Sequence, residues 1–111
     1  MAQKIKVVMC PADRAPYVTN ISNTLEAFQT AVGGYIETVD FASPVVIVCN
    51  EEGRLQGLPA CRSIMMTGFV GDCFFVGTKG DEFTDLTDDQ ARFLLQNCKR
   101  VWKKLSGGIK Q

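Results

Sequence analysis

The stretch NEEGRLQGLPACRSI, residues 50–64, sets two arginines around a Gly-Leu-Pro sequence. Guanidinium groups recognise carboxylates and phosphates through paired N–H donors, and a fixed bend can aim backbone N–H groups at an anion. The chemistry this pattern points to is capture of a small anionic ligand. Arg62 and Arg54 would meet its charged groups, and Asn50 would supply directional hydrogen bonds. Tyr35 is the stacking candidate, and Lys79, within GTKGDEF, adds a further cation. Arg62 is flanked by Cys61 and by Ser63-Ile64-Met65-Met66, an apolar neighbourhood. A cation there needs either an incoming anion or a carboxylate of the chain, with Glu37, Asp40 and Glu52 as the internal alternatives.

Other patterns carry less. GTKGDEF has glycine and lysine but not the GxxxxGK[ST] spacing of a phosphate loop. Asp81, Glu82, Asp85, Asp88 and Asp89 cluster without the alternation of a calcium loop, so they read as a solvated loop entering a helix N-terminus. Arg92, Lys99 and Lys103, extended by Arg100 and Lys104, share a helix face and read as its solvated, dipole-complementing side. The chain has no histidine, which removes the commonest general acid–base group and every Ser-His or Cys-His pair. Its five cysteines are widely spaced with no CxxC pair, and read as free, buried thiols rather than metal ligands. The residues thus imply no catalytic group, no metal and no cofactor.

The elements that would hold these residues follow from periodicity. KIKVVMC (4–10) is a central or near-central strand, and YVTNI (17–21) is a short strand pairing antiparallel with it. SNTLEAFQTAVGG predicts a helix capped by Asn23 with Glu26 three residues on, burying Leu25, Phe28 and Val32 and ending at Gly33-Gly34. YIETVDF (35–41) alternates like a half-buried strand, whereas VVIVCN (45–50) is apolar throughout and predicts burial on both faces. Glu51-Glu52-Gly53 predicts a tight hairpin with Gly53 in the left-handed region, and Arg54-Leu55-Gln56 a returning strand. FVGDCFFVGT (69–78) is a further strand with a bulge at Gly71, and KGDEFTDL a polar loop anchored by Phe83. A long helix then starts at Thr87, answered by Gln90, with Ala91, Leu94, Leu95, Cys98, Val101, Trp102 and Leu105 on its apolar stripe.

The result is an α+β class: one domain over residues 1–111, a mostly antiparallel sheet with two helices on one face, and a tail at 107–111. Covering one face only would leave the other for a second copy, so a homo-oligomer is expected. Twelve Lys+Arg against twelve Asp+Glu argues against a duplex nucleic-acid partner. No run of 18 apolar residues suggests a membrane span, and the N-terminal apolar run is too short for a signal sequence, so a cytoplasmic location is expected.

Three segments in order, NTLEAFQTAVGGYIETV, VVIVCNEEGRLQGLPACR and DEFTDLTDDQ, resemble a family of uncharacterised small proteins of bacteriophages and Firmicute mobile elements, the "domain of unknown function 3846" type, over residues 4–95. Its members typically read N-E-E-G-K-L-x-G-L-P-x-N-R, and Cys61 stands where asparagine is usual. The resemblance implies a phage accessory protein. In that setting the expected role is non-enzymatic sequestration of a nucleotide-derived host signal, such as a cyclic nucleotide or ADP-ribose derivative, to counter bacterial defence. The alternatives are a protein–protein inhibitor of a host protein and a small nucleotide-cleaving enzyme.

Overall fold

The structure, a computed structural model, describes residues 3–64 and 68–106. Along the chain the elements are β1 (Lys4–Cys10), β2 (Tyr17–Ser22), α1 (Leu25–Val32), β3 (Ile36–Ala42), β4 (Val45–Asn50), β5 (Cys73–Lys79), β6 (Glu82–Thr84) and α2 (Asp88–Ser106). This is the expected α+β class, and every strand pair is antiparallel. The expected tail at 107–111 lies outside the described residues.

The sheet runs β2-β1-β5-β4-β3, with β6 paired to β5 off that path. β4 occupies one edge of β5, so β1 and β6 share the other: β1 pairs with Cys73–Phe75 and β6 with Gly77–Lys79. Where β1 parts from β5, the chain after β6 fills the gap. Leu86 N–H donates to the Lys6 carbonyl at 3.0 Å, and Lys6 N–H donates to the Asp85 carboxylate at 2.6 Å. An ion pair between the Lys6 ammonium and Asp88 ties β1 to the first turn of α2 and holds the Asp88 carboxyl below its usual range.

β1, β4 and β5 are rich in β-branched and aromatic residues on both sides of the pleat, and their side chains alternate between two cores. Ile5, Val7, Met9, Val46, Val48, Phe74 and Val76 face α1, which contributes Phe28 and Val32. Val8, Cys10, Val45, Ile47, Cys49, Cys73 and Phe75 face α2, which contributes Ala91, Leu94 and Cys98. The helices therefore lie on opposite faces, not on one. The reason is that strands apolar on both sides need cover on both sides, and this chain supplies it from its own two helices. The open second face on which the expectation of a homo-oligomer rested is thus covered within the chain.

Several local expectations shift. Thr24, not Asn23, caps α1: its hydroxyl accepts from Ala27 N–H at 3.1 Å. Leu25 is more than half exposed, because α1 starts beyond the edge of the core. Gly33 ends α1 in the left-handed region as expected. The α2 cap is the expected reciprocal pair, with Thr87 N–H donating to Gln90 Oε1 at 2.9 Å and Gln90 N–H to Thr87 Oγ1 at 3.0 Å. Leu105 is half exposed, since the apolar stripe of α2 outruns the sheet.

The returning strand at 54–56 does not form. Residues 51–57 wind as successive turns, with Gln56 N–H donating to Glu52 C=O at 2.9 Å and Leu58 N–H to Gly53 C=O at 3.0 Å. The fifth strand is instead β5, and the segment expected as a polar loop holds β6. Gly53 is outside the left-handed region; a Cβ there would sit 2.7 Å from Val70 Cγ2, so it is needed for close approach. Gly71 has φ 73° but precedes β5 rather than bulging it, and a Cβ there would meet Leu58 Cδ1 at 2.7 Å. The Gly-Leu-Pro bend is therefore a packing lock: Leu58 seats in a notch that Gly53 and Gly71 leave open, and Gly71 N–H donates to Pro59 C=O at 2.7 Å.

Phe74 is fully buried, with its ring 6.0 Å from that of Phe28. Phe74→Ala should cost about 3–5 kcal/mol, read as a lowered urea midpoint with an unchanged denaturant slope.

Candidate functional site

The five residues singled out from sequence do not converge. Asn50 is buried, and its contacts are internal: its amide donates to Val32 C=O at 3.2 Å and Gln56 Oε1 at 3.3 Å, and its oxygen accepts from Glu52 N–H at 2.8 Å. It ties the end of α1 to the turns after β4. Gly34 makes room for it, since a Cβ there would lie 2.9 Å from Asn50 Nδ2. Arg54 is exposed and lies over Gly68 beside Asn50, where the enclosed space is about 100 Å³ and is also lined by Glu37 and Glu51. Small-molecule sites run to roughly 300–1,000 Å³, and two carboxylates oppose an anion. Tyr35 is exposed in the bend just before β3. Arg62, expected in apolar surroundings, points to solvent from its turn. Lys79 is at the other end of the sheet: Val45 pairs near it with Gly77, and Asn50 is five residues along β4, roughly 17 Å at the strand rise.

A different place has the form of a site. The five-strand path spans roughly 19 Å between its outer strands, whereas a helix with its side chains is only about 10–12 Å wide. α2 lies across β1 and reaches β2, so it leaves the other half of its own face uncovered. The turn at 61–64 fills part of that space, and a recess of about 490 Å³ remains between α2, this turn, β5 and β3. Its walls are apolar: Phe41, Ile64, Phe75, Leu94, Cys98 and Val101, with Phe93 at the edge. Phe41 is the extra residue where the β3–β4 register shifts between Asp40 and Ala42, a bulge that sets its ring edge-on to Phe75 at 5.2 Å.

Four polar side chains line this recess, Ser63, Asn97, Arg100 and Lys104. Ser63 is 1% exposed, and its Oγ has no hydrogen-bond partner among the described residues. Arg100 and Lys104 stand on the α2 side, and neither makes an ion pair among the described residues. Arg100 is held in place by donating to Asn97 Oδ1 at 3.1 Å, while Asn97 Nδ2 donates to Phe93 C=O at 2.9 Å. Among the described residues no carboxylate lines the space. The arrangement can hold an apolar body, meet one hydrogen-bonding atom in its depth and neutralise an anion at its side.

Under the recess is a cluster of thiols. All five cysteines are free and buried, as expected. Cys10 Sγ is 3.8 Å from Cys98 Sγ, and the Cys61 thiol donates to Cys10 C=O at 3.3 Å. The hydrogen bond to Cys98, then burial, pushes the Cys10 thiol up. The hydrogen bond between Cys61 and Cys73 pushes Cys73 up and Cys61 down. Burial pushes Cys49 up to about 11. Among the described residues no group of three or more His, Cys, Asp and Glu side chains is placed to hold a metal, and no helix is long and apolar enough to cross a membrane.

Ser63 and Phe93 were missed by sequence reasoning, and Arg100 and Lys104 were read as a solvated face. The signal available was a second stripe: Phe93, Asn97, Arg100 and Lys104 follow at spacings of 4, 3 and 4, one face of α2 beside its core stripe.

Fold and recess together define a small α+β domain with an apolar, cation-edged hollow between α2 and its sheet. The family model "Domain of unknown function (DUF3846)" matches residues 5–99, and the chain belongs to that family. No curated protein and no solved structure matches the chain.

Two measurements test this description. Ser63→Ala removes a buried hydroxyl that lacks a partner, so it should raise stability by about 1 kcal/mol; a loss of stability in urea would show that the hydroxyl is satisfied. The raised thiols, Cys10, Cys73 and Cys49, stay neutral in the fold while their unfolded counterparts ionise above pH 9.0. Their contribution is intact below that pH and is lost as pH rises, for Cys49 through about 11. The urea midpoint should therefore fall between pH 9 and 11, and fall less steeply in Cys49→Val.

Proposed function

We propose that this protein is a non-enzymatic binding domain that captures a small ligand with an apolar body and an anionic group, in the recess between α2 and the sheet. The observation that carries this reading is the Ser63 hydroxyl, buried and unpartnered among the described residues at a hollow edged by two unpaired cations. A bound ligand would relieve the cost of the desolvated hydroxyl and meet the two exposed cations with a charge-assisted contact. The ligand class stays the one expected from sequence, but the site moves from the Gly-Leu-Pro bend to α2. Binding rather than turnover is supported by the lining, which sets no carboxylate or imidazole beside Ser63 or Cys98 to act as a base. A nucleotide-derived host signal, which the phage setting suggests, is one member of this class.

The test is a thermal-shift screen of anionic small molecules against the wild type and Arg100→Glu/Lys104→Glu. A ligand at about 100 times its Kd adds roughly 2.7 kcal/mol, which should move the midpoint on the order of 10 °C for a domain of this size. The expected result is a hit, recovered intact, whose shift disappears in the double variant. A hit whose shift persists there places binding elsewhere, and a compound returned cleaved makes the protein an enzyme.

A further inference from the structure

We infer that the recess takes an anionic amphiphile: an apolar chain or ring body with a single anionic head and one hydrogen-bonding atom on the body, as in a hydroxylated medium-chain carboxylic acid. This rests on the reading of the recess as a capture site and narrows its ligand from anions in general to one chemical type. The argument is a count of what the walls can satisfy. A nucleotide brings sugar hydroxyls, base-edge donors and acceptors and phosphate oxygens, and each polar atom buried without a partner counts against binding.

The recess offers little to such a ligand. Of the residues that line it, Phe41, Ile64, Phe75, Leu94, Cys98 and Val101 present apolar or weakly polar surface. Asn97 gives one N–H to Phe93 C=O and accepts once from Arg100, which leaves it one N–H and one lone pair beside the Arg100 guanidinium. Away from that edge the walls offer one hydroxyl, Ser63, and the edge itself adds the donors of Arg100 and Lys104. One hydroxyl calls for one hydrogen-bonding atom. Two adjacent cations without a lining carboxylate call for one anionic head, and apolar walls call for hydrocarbon. Arg100 and Lys104, four residues apart on one helix face, can close on the two oxygens of a single carboxylate. Both are exposed, so the head stays near water while the body is covered.

The experiment is titration of the full chain with anilinonaphthalene sulfonate, a fluorescent probe with an aryl body, one N–H and one sulfonate, followed by displacement with decanoate, hydroxylated decanoates, decanol, AMP and a cyclic dinucleotide. The expected result is saturable one-to-one probe binding displaced by the carboxylates, with decanol about tenfold weaker because it lacks the charge-assisted contact. A hydroxylated decanoate should surpass decanoate in the wild type and lose that advantage in Ser63→Ala. Arg100→Glu/Lys104→Glu, and the milder Arg100→Gln/Lys104→Gln should the first fold poorly, should weaken the carboxylates about tenfold or more, while Lys79→Glu changes nothing. Displacement by AMP or the cyclic dinucleotide without displacement by decanoates would overturn this inference and leave the capture reading standing. Binding indifferent to both double variants, or no binding by any of these compounds, would overturn both. A concentration-dependent dimer in sedimentation, lost in Phe93→Ser, would assign the recess to a second copy and overturn this inference as well.

Discussion

The constraint on which this fold depends is that β1, β4 and β5 are apolar on both faces. Ile47, Val48, Phe74 and Phe75 alternate across the sheet and are all essentially excluded from water, which no single covering layer achieves. Everything else in the chain order serves to bring one helix to each face. α1 is short and sits between β2 and β3, at the two edges of the path, so it can return over the β4 side. α2 comes last and is fixed at its start by the Thr87–Gln90 cap, by Lys6 with Asp88, and by the Leu86 bond to β1. Those anchors set it over β1 and β2, and the uncovered half of that face is the consequence.

The thiols belong to the same constraint. Cys10, Cys61, Cys73 and Cys98 occupy the core beneath α2, where larger side chains would lift the helix and the 61–64 turn away from the sheet. Small polarizable groups let these elements approach closely while filling irregular space. Burial and the neighbouring thiols hold Cys10 and Cys73 neutral, so these two act as packing atoms at neutral pH.

What could be read from sequence follows the strength of local periodicity. VVIVCN was legible as a doubly buried strand because nothing in it is polar until Asn50, and the cap and stripe of α2 were legible because both are short-range. The cap of α1 was misplaced by one residue because Asn23 and Thr24 are both good caps, and only the tertiary bond from Asn23 Nδ2 to Phe83 C=O at 3.2 Å decides between them. The side of the sheet on which each helix lands was not legible, because it depends on crossovers rather than on any one segment. The NEEGRLQGLPACR segment misled for a physical reason. Glycine, proline and asparagine are what a phosphate cradle needs, and also what a lock needs when Leu58 must enter between two backbones and Asn50 must cap three partners. Residue type separates the two uses poorly, whereas burial separates them at once.

The recess gathers the features the fold does not need for itself. An alanine at 63 would fill the same place without stranding a hydroxyl, and a glutamate on α2 would neutralise Arg100 or Lys104 through an ordinary helical pair. Phe93 could be polar where it stands, since it is nearly two-thirds exposed. Each departure is small alone, but all four residues border one hollow, and they are complementary in kind: a hydroxyl, two cations and an apolar ring around hydrocarbon walls. A protein stabilised only as a scaffold gains nothing from that combination. A protein that holds an amphiphile gains at every one of those positions, and only when the ligand is present, which is the condition for the stability given up in the empty state to return as affinity.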